Sequence, residues 1–297
     1  MKLSIVTINY NNVEGLRRTL TSVAEQSYRD IEHIIVDAAS NDGSVDIIRE
    51  YAEKADYPVL WISEKDKGVY AGMNKGIEIA LGRRVVDALN RSELVEDKNR
   101  GINKALPDYI QILNSGDILA APDVTERMVD ALPEGADLLY GNMVKYDYTS
   151  NMVMGKSGEV EYSLRQYYSG TMNHDCCYIR RDLFETYGLY DENLKIVSDW
   201  KWFLQAIALG NVKPIYADID VTIFDASGIS ESNLELRNKE RRQVLEDLLS
   251  PAVMADYDKY GFPMEQYNRL RKHRLWGLTW FVERILFKLE KWHILKR

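Results

Sequence analysis

The 297-residue sequence is longer than most single domains and predicts one large domain, or one domain with an extension. Its 45% hydrophobic and 28% charged residues, with only 18 Gly and 7 Pro, exclude collagen-like, low-complexity and largely disordered chains. The net charge of -8 argues against nucleic acid as a partner of the whole chain. Cys176 and Cys177 are adjacent and cannot form a disulfide framework, which suits a reducing, cytoplasmic compartment. The apolar run Leu3 to Ile8 is too short for a signal peptide, and no apolar stretch approaches the length of a membrane span.

The first 120 residues alternate β-rich runs with helical patterns, which predicts βαβ units and a mostly parallel, Rossmann-like sheet flanked by helices. A strand at Leu3 to Ile8 ends in Asn9-Tyr10-Asn11-Asn12, and Leu16, Leu20, Val23 and Ala24 follow at helical spacing. A second strand, Ile31 to Val36, runs into Asp37 and the turn cluster Ser40-Asn41-Asp42-Gly43, before the helical positions Val45, Ile48 and Ala52. Val59 to Ile62 is the third strand, Val69 to Leu81 the third helix, and Tyr109 to Leu113 the fourth strand, which stops at Asn114-Ser115-Gly116-Asp117. Farther along, strands are expected near Asp137 to Tyr140, Met152 to Met154, Cys176 to Ile179 and Lys213 to Tyr216, with helices over 181–187, 199–210, 231–257 and from about 264 onward.

Ligands of open α/β sheets bind outside the carboxyl ends of the strands, which here carry Asn9, Asp37, Glu64, Asp66 and Asp117. Neither G-x-G-x-x-G after the first strand nor a G-x-x-x-x-G-K-[ST] loop is present, which argues against nicotinamide-type and P-loop chemistry.

Four segments together resemble the family 2 glycosyltransferases of the GT-A fold: Ser4 to Asn11, Ile35 to Ser44, Glu64 to Tyr70 with Met73-Asn74-Lys75-Gly76, and Leu113 to Asp117. The third is similar to a branch acting in polysaccharide assembly, and His174 to Gly188 with Ser198-Asp199-Trp200 resembles the acceptor half. The resemblance implies inverting transfer of a hexose-type sugar from a nucleotide-diphosphate donor, uridine by family habit, to a glycan or lipid-linked acceptor in cell-surface polysaccharide synthesis. It implies Asn9, Asp37, Glu64, Asp66, Lys75 and Asn114 as nucleotide-binding residues, and Asp117 as ligand to a divalent cation, Mn or Mg. Asp199 then stands as the general base, with His174 and Trp200 on the acceptor side. It also makes Gly228-Ile229-Ser230 a loop closing over donor. The competing readings are a noncatalytic nucleotide-sugar sensor or membrane-associated scaffold of the same fold, and a nucleotidyltransferase, whose Gly-rich opening loop is absent.

Relatives often carry carboxylates where Asn114 and Gly116 stand, so metal affinity without donor is expected to be weak; they also often carry an Asp near the donor where Ala71-Gly72 stands, which bears on sugar recognition. The expected organisation is a transferase domain over 1–230, divided into a nucleotide half (1–120) and an acceptor half (121–230) and interrupted by an insertion at 83–108, then a helical extension over 231–297. Residues 269–297 hold nine Lys/Arg against Glu283 and Glu290, interleaved with Trp276, Trp280, Phe281 and Trp292. Such a stretch predicts an interfacial helix on the anionic inner face of the cytoplasmic membrane, with packing on the core or in a homodimer as the alternatives.

Overall fold

A computed structural model describes residues 1–84, 106–160, 162–225 and 233–260, together with 278, 281–282 and 284–287. Most of the 83–108 insertion, the 226–232 loop carrying Gly228, and nearly all of the basic end lie outside the described residues.

The β-branched runs of the N-terminal third form β1 (Leu3–Asn9), β2 (Ile31–Asp37), β3 (Val59–Ser63) and β4 (Tyr109–Ile112), all mutually parallel in the order β3-β2-β1-β4. Helices α1 (Val13–Ala24), α2 (Ser44–Lys54) and α3 (Val69–Ala80) connect the first three and lead from the third, as parallel pairing demands a crossover. The Asn12 side chain caps α1 by accepting from Gly15 N–H, and Leu16, Leu20 and Val23 bury its apolar stripe. The α3 helix lies so close to the sheet that a Cβ on Gly76 would fall 2.2 Å from Val6 Cγ1, which is why this helix face carries glycine.

Beyond β4 the sheet is mixed rather than parallel. β5 (Ile118–Leu119), β6 (Leu138–Asp147), β7 (Met152–Lys156), β8 (Cys177–Arg180) and β9 (Pro214–Asp225) extend the order as β4-β8-β6-β9-β5, with β7 hairpinned onto β6. Only β6 and β9 are parallel in this half. The strands expected to end at Tyr140 and Tyr216 run on to Asp147 and Asp225, and α4 (Val124–Asp130) and α5 (Leu164–Ser169) join the predicted elements.

A second, aromatic core lies among residues 184–203. In α7 (Ser198–Phe203), which follows α6 (Leu183–Thr186) and continues as a π-helical turn over Leu204–Ala208, Trp200, Trp202 and Phe203 are each at most 2% exposed. Trp202 stacks on Phe184 at 5.0 Å and meets Phe203 at 5.4 Å. Cys176 and Cys177 are buried free thiols at the head of β8. Helix α8 (Leu234–Leu248) carries the chain toward the C-terminal region, where residues 251–260 are helical again; contacts divide the molecule into Met1–Arg242 and Gln243–Arg297.

Candidate active site

Register brings the nucleotide-side residues together. Asn9 pairs with Asp37 across β1 and β2, and Asp37 with Ser63 across β2 and β3, so three polar side chains share one sheet edge. Asn9 Nδ2 donates to Asp37 Oδ1 (2.8 Å), Ser63 Oγ to Oδ2 (2.6 Å), and Ser40 gives its backbone N–H (2.9 Å) and hydroxyl (2.6 Å) to the same carboxylate. Four donors fill the lone-pair directions of Asp37, which is fully buried. Without ligand, the carboxylate expected to meet the nucleoside fixes the 38–43 turn, while Asn9 Oδ1 is left buried without a partner. Asp66 accepts from Gly68 N–H (3.0 Å) and lies against α3, where a Cβ on Gly72 would come within 3.2 Å of Oδ2. A small residue at 72 is thus what lets Asp66 seat there.

Glu64 and Lys75 do not join this group. Lys75 Nζ binds Glu64 (2.9 Å) and the Lys65 carbonyl (3.1 Å), and Arg84 takes the same Glu64 oxygen (2.6 Å). Without ligand, these two residues, expected to meet the donor, form an ion-pair cluster that ties the end of β3 to α3.

The 114–117 turn is held from α1. Asn12 Nδ2 donates to the Ser115 carbonyl (3.0 Å), and the Thr19 hydroxyl donates to the Asp117 carbonyl (2.7 Å) while accepting from Gly116 N–H (3.0 Å). Gly116 sits at φ +109°, a conformation that disfavours a carboxylate-bearing residue there. The Asp117 carboxyl, 4% exposed, accepts Asp225 N–H on Oδ1 (3.0 Å). Burial, with the Asp175 carboxylate behind it, pushes its pKa well above the ordinary range. Asp117 is thus a buried carboxylate whose surroundings favour a cation. No group of three His, Cys, Asp or Glu is placed to hold a metal among the described residues. The donor set fits a hard divalent ion bound by one carboxylate and completed by ligand phosphate oxygens.

Asp199, in the first turn of α7, is gripped at both oxygens. Tyr70 of α3 donates to Oδ1 (2.8 Å), and His174 Nδ1 lies 3.0 Å from Oδ2. Burial opposes ionisation of Asp199, but these two hydrogen bonds and the His174 charge hold its pKa below the usual carboxylate value. Burial likewise opposes charge on His174, yet Asp199, with Asp175 and Asp117 beyond it, pushes the imidazole up to about 8. The other ring nitrogen meets the Asn114 carboxamide at 3.0 Å. The atom placed there is Asn114 Nδ2, while Oδ1 is buried without a partner, so a ring protonated at both nitrogens calls for the carboxamide turned end for end, with its oxygen accepting. His174 therefore joins the 114–117 turn to the carboxylate of α7.

Trp200 is corrected outright. It is 1% exposed, its indole N–H donates to the Tyr167 carbonyl (3.0 Å), and it supports α7 from inside rather than facing an acceptor. Sequence reasoning also missed Tyr70, Ser40, Ser63 and Asp175, the last held by Thr222 Oγ1 (2.7 Å). Tyr70 lay inside a quoted motif, yet no spacing relates it to Asp199, 129 residues away.

The His174–Asp199 pair has a stability signature. A histidine raised from 6.5 to about 8 contributes fully below pH 6.5 and loses its contribution as pH rises through 8. His33, fully buried and lowered to about 3, stays neutral across that window. Urea unfolding is expected to give about 1–2 kcal/mol less stability at pH 8.5 than at pH 6.5, and this difference disappears in His174→Gln. An unchanged slope in that variant counts against the pairing.

Comparisons with known proteins place this geometry. Residues 4–89 match the model of Glycosyl transferase family 2. An uncharacterized glycosyltransferase of Mycobacterium tuberculosis is 28% identical over 235 residues, 76% of each chain. A PGL/p-HBAD biosynthesis glycosyltransferase of Mycobacterium bovis is 23% identical over 76% of this chain and 77% of its own. Among solved structures, S. aureus TarS in complex with UDP-GlcNAc superposes with a TM-score of 0.57 at 17% identity, over 82% of this chain and 64% of that one. The mannosyltransferase PcManGT of Pyrobaculum calidifontis, in complex with GDP-Man and Mn2+, gives 0.53 at 15% identity over 81% and 60%. This chain thus spans just under two thirds of the length of the TarS chain. The fold is GT-A.

Proposed function

We propose that the chain is a family 2 glycosyltransferase that moves a hexose-type sugar, with inversion, from a nucleotide-diphosphate donor to a glycan or lipid-linked acceptor in cell-surface polysaccharide or glycolipid assembly. The observation that carries the reading is the position of Asp199: one oxygen is tied to Tyr70 of the nucleotide half, the other to a histidine that reaches the 114–117 turn. A carboxylate kept ionised beside the donor side can take the proton of an attacking hydroxyl. Each carboxylate oxygen has two lone pairs, so one remains for that proton after Tyr70 or His174 has been served. The acceptor oxygen bonds to the anomeric carbon, the bond to the diphosphate breaks, and the proton passes to Asp199.

Asn9 and the turn fixed by Asp37 receive the nucleoside, with Asp66 at their margin. Asp117 would hold a divalent cation, Mn or Mg, which supplies neutralisation of the diphosphate leaving group. Uridine is the proposed base. TarS is solved with UDP-GlcNAc and PcManGT with GDP-Man, so both nucleotides enter the test. The protein with Mn2+ and UDP-hexoses or GDP-mannose is expected to turn over only the uridine donors. Nucleotide binding without any turnover would favour the sensor reading, for which the sparse metal ligands of the 114–117 turn are the supporting observation.

The proposed organisation keeps a transferase domain, a helical extension and a basic amphipathic end. No helix long and apolar enough to cross a membrane occurs among the described residues. Leu278, Phe281, Ile285 and Phe287 of the C-terminal region are helical and 42–67% exposed. Together with the Lys/Arg excess of 269–297, they support peripheral contact with an anionic membrane in preference to a homodimer. Cosedimentation with anionic, but not neutral, liposomes is expected for the full chain and not after deletion of 269–297.

A further inference from the structure

Arg237 and Arg241 lie one turn apart on α8 and both are half-buried. The Arg241 guanidinium stands 5.1 Å over the ring of Trp200, the residue after the proposed base. Both Nε atoms are buried and without a hydrogen-bond partner. Neither arginine makes an ion pair with a carboxylate among the described residues. The neighbouring carboxylate, Glu240, is 7% exposed and committed elsewhere, accepting from Lys195 N–H (2.7 Å) and Ile196 N–H (2.9 Å). That anchorage holds α8 against the segment entering α7 and so fixes the arginines beside it.

Two guanidinium groups at i and i+4 repel, and a partly buried cation without a counter-ion costs stability. Burial and the charge of Arg237 lower the Arg241 pKa, with Asp199 acting in the opposite sense. The Asp199 carboxylate is already held by Tyr70 and His174 and does not reach ion-pair distance of either arginine. The arrangement is a pair of planar, unpaired donor forks, which matches the several oxygens and double charge of a phosphoryl group better than a single carboxylate. The donor diphosphate is assigned to the Asp117 side, which leaves the acceptor as the reactant that can bring this anion.

Resting on the transferase reading above, we propose that Arg237 and Arg241 form a phosphate-binding site that holds the acceptor through a phosphoryl group, so that the acceptor class is a phosphorylated one. Binding there would set the attacking hydroxyl against Asp199.

The test uses the full chain saturated with UDP and Mg2+, which fills the donor side, titrated with geranyl phosphate and separately with inorganic phosphate. Saturable binding of geranyl phosphate is expected, weakened at least about tenfold in Arg237→Gln/Arg241→Gln, with UDP affinity unchanged within about twofold. The Arg237→Lys/Arg241→Lys variant keeps the charge but not the fork and is expected to fall between. Tighter binding of geranyl phosphate than of phosphate assigns the anion to a lipid; equal binding of the two assigns it to a phosphorylated glycan. Absence of binding of both probes to the wild type, or equal binding by the Gln variant at unchanged melting temperature, overturns the proposal. If UDP itself fails to bind, the donor assignment falls instead. The wild-type and variant comparison on unliganded protein then decides the arginine site.

Discussion

Asp199→Asn is expected to lower kcat by about 10²–10⁴-fold while leaving UDP affinity within about twofold. The carboxamide is isosteric, its oxygen still accepts from Tyr70 or His174, and Trp200 beneath it is untouched, so α7 keeps its place. What is lost is the lone pair that takes the acceptor proton and the charge that holds His174 protonated. The imidazole should return toward or below its ordinary pKa, because burial alone lowers it. Single-turnover kinetics with saturating donor separates the two effects. A loss confined to KM would point to acceptor placement, and turnover within about fivefold of wild type would remove Asp199 from the role of base.

Asp117→Asn is expected to abolish the metal-dependent part of UDP binding, raising Kd in the presence of Mn2+ at least about tenfold, to the value measured without metal. The same substitution should maintain or raise the melting temperature of the ligand-free protein. Asp117 is a buried carboxylate with Asp175 and Asp225 nearby, and its pKa is raised. A group of that kind opposes folding at neutral pH, since the unfolded chain ionises it freely. Its neutral isostere keeps the Asp225 N–H bond and sheds the repulsion. Calorimetric titration and thermal unfolding on one preparation read both outcomes. Metal-dependent binding that survives in the variant would move the cation elsewhere.

These two carboxylates differ in how far the sequence exposes them. Asp117 follows a strand and a turn that an observer can mark from Tyr109 to Gly116, and Asn9 and Asp37 likewise sit where β-branched runs give way to polar residues. The parallel third of the sheet was legible for the same reason: strands buried on both faces, alternating with amphipathic helices, have a composition few other arrangements share. The second half was harder to read. Its strands leave the core partway, as β6 does when its burial fades after Asn142, so the periodicity that marks a strand's beginning fails to mark its end. Trp200 shows the opposite error, in which adjacency to Asp199 suggested a shared role. On a helix, consecutive residues point about 100° apart, and one faces the site while the next faces the core.

The sequence by itself determined the βαβ opening, the polar strand ends and the family motifs, because local propensity and periodicity are written residue by residue. Which of those polar groups meet was decided only in three dimensions. The β1–β2–β3 register saturates Asp37 with Asn9, Ser40 and Ser63. The packing of α3 and α7 carries Tyr70 to Asp199, and the turn before β8 sets His174 between Asp199 and Asn114. Lys75 pairs with the half-exposed Glu64 carboxylate, and on α8 the Nε atoms of Arg237 and Arg241 are left buried without a hydrogen-bond partner. Hydrogen bonds and ion pairs act over about 3 Å, a distance on which sequence separation carries no information.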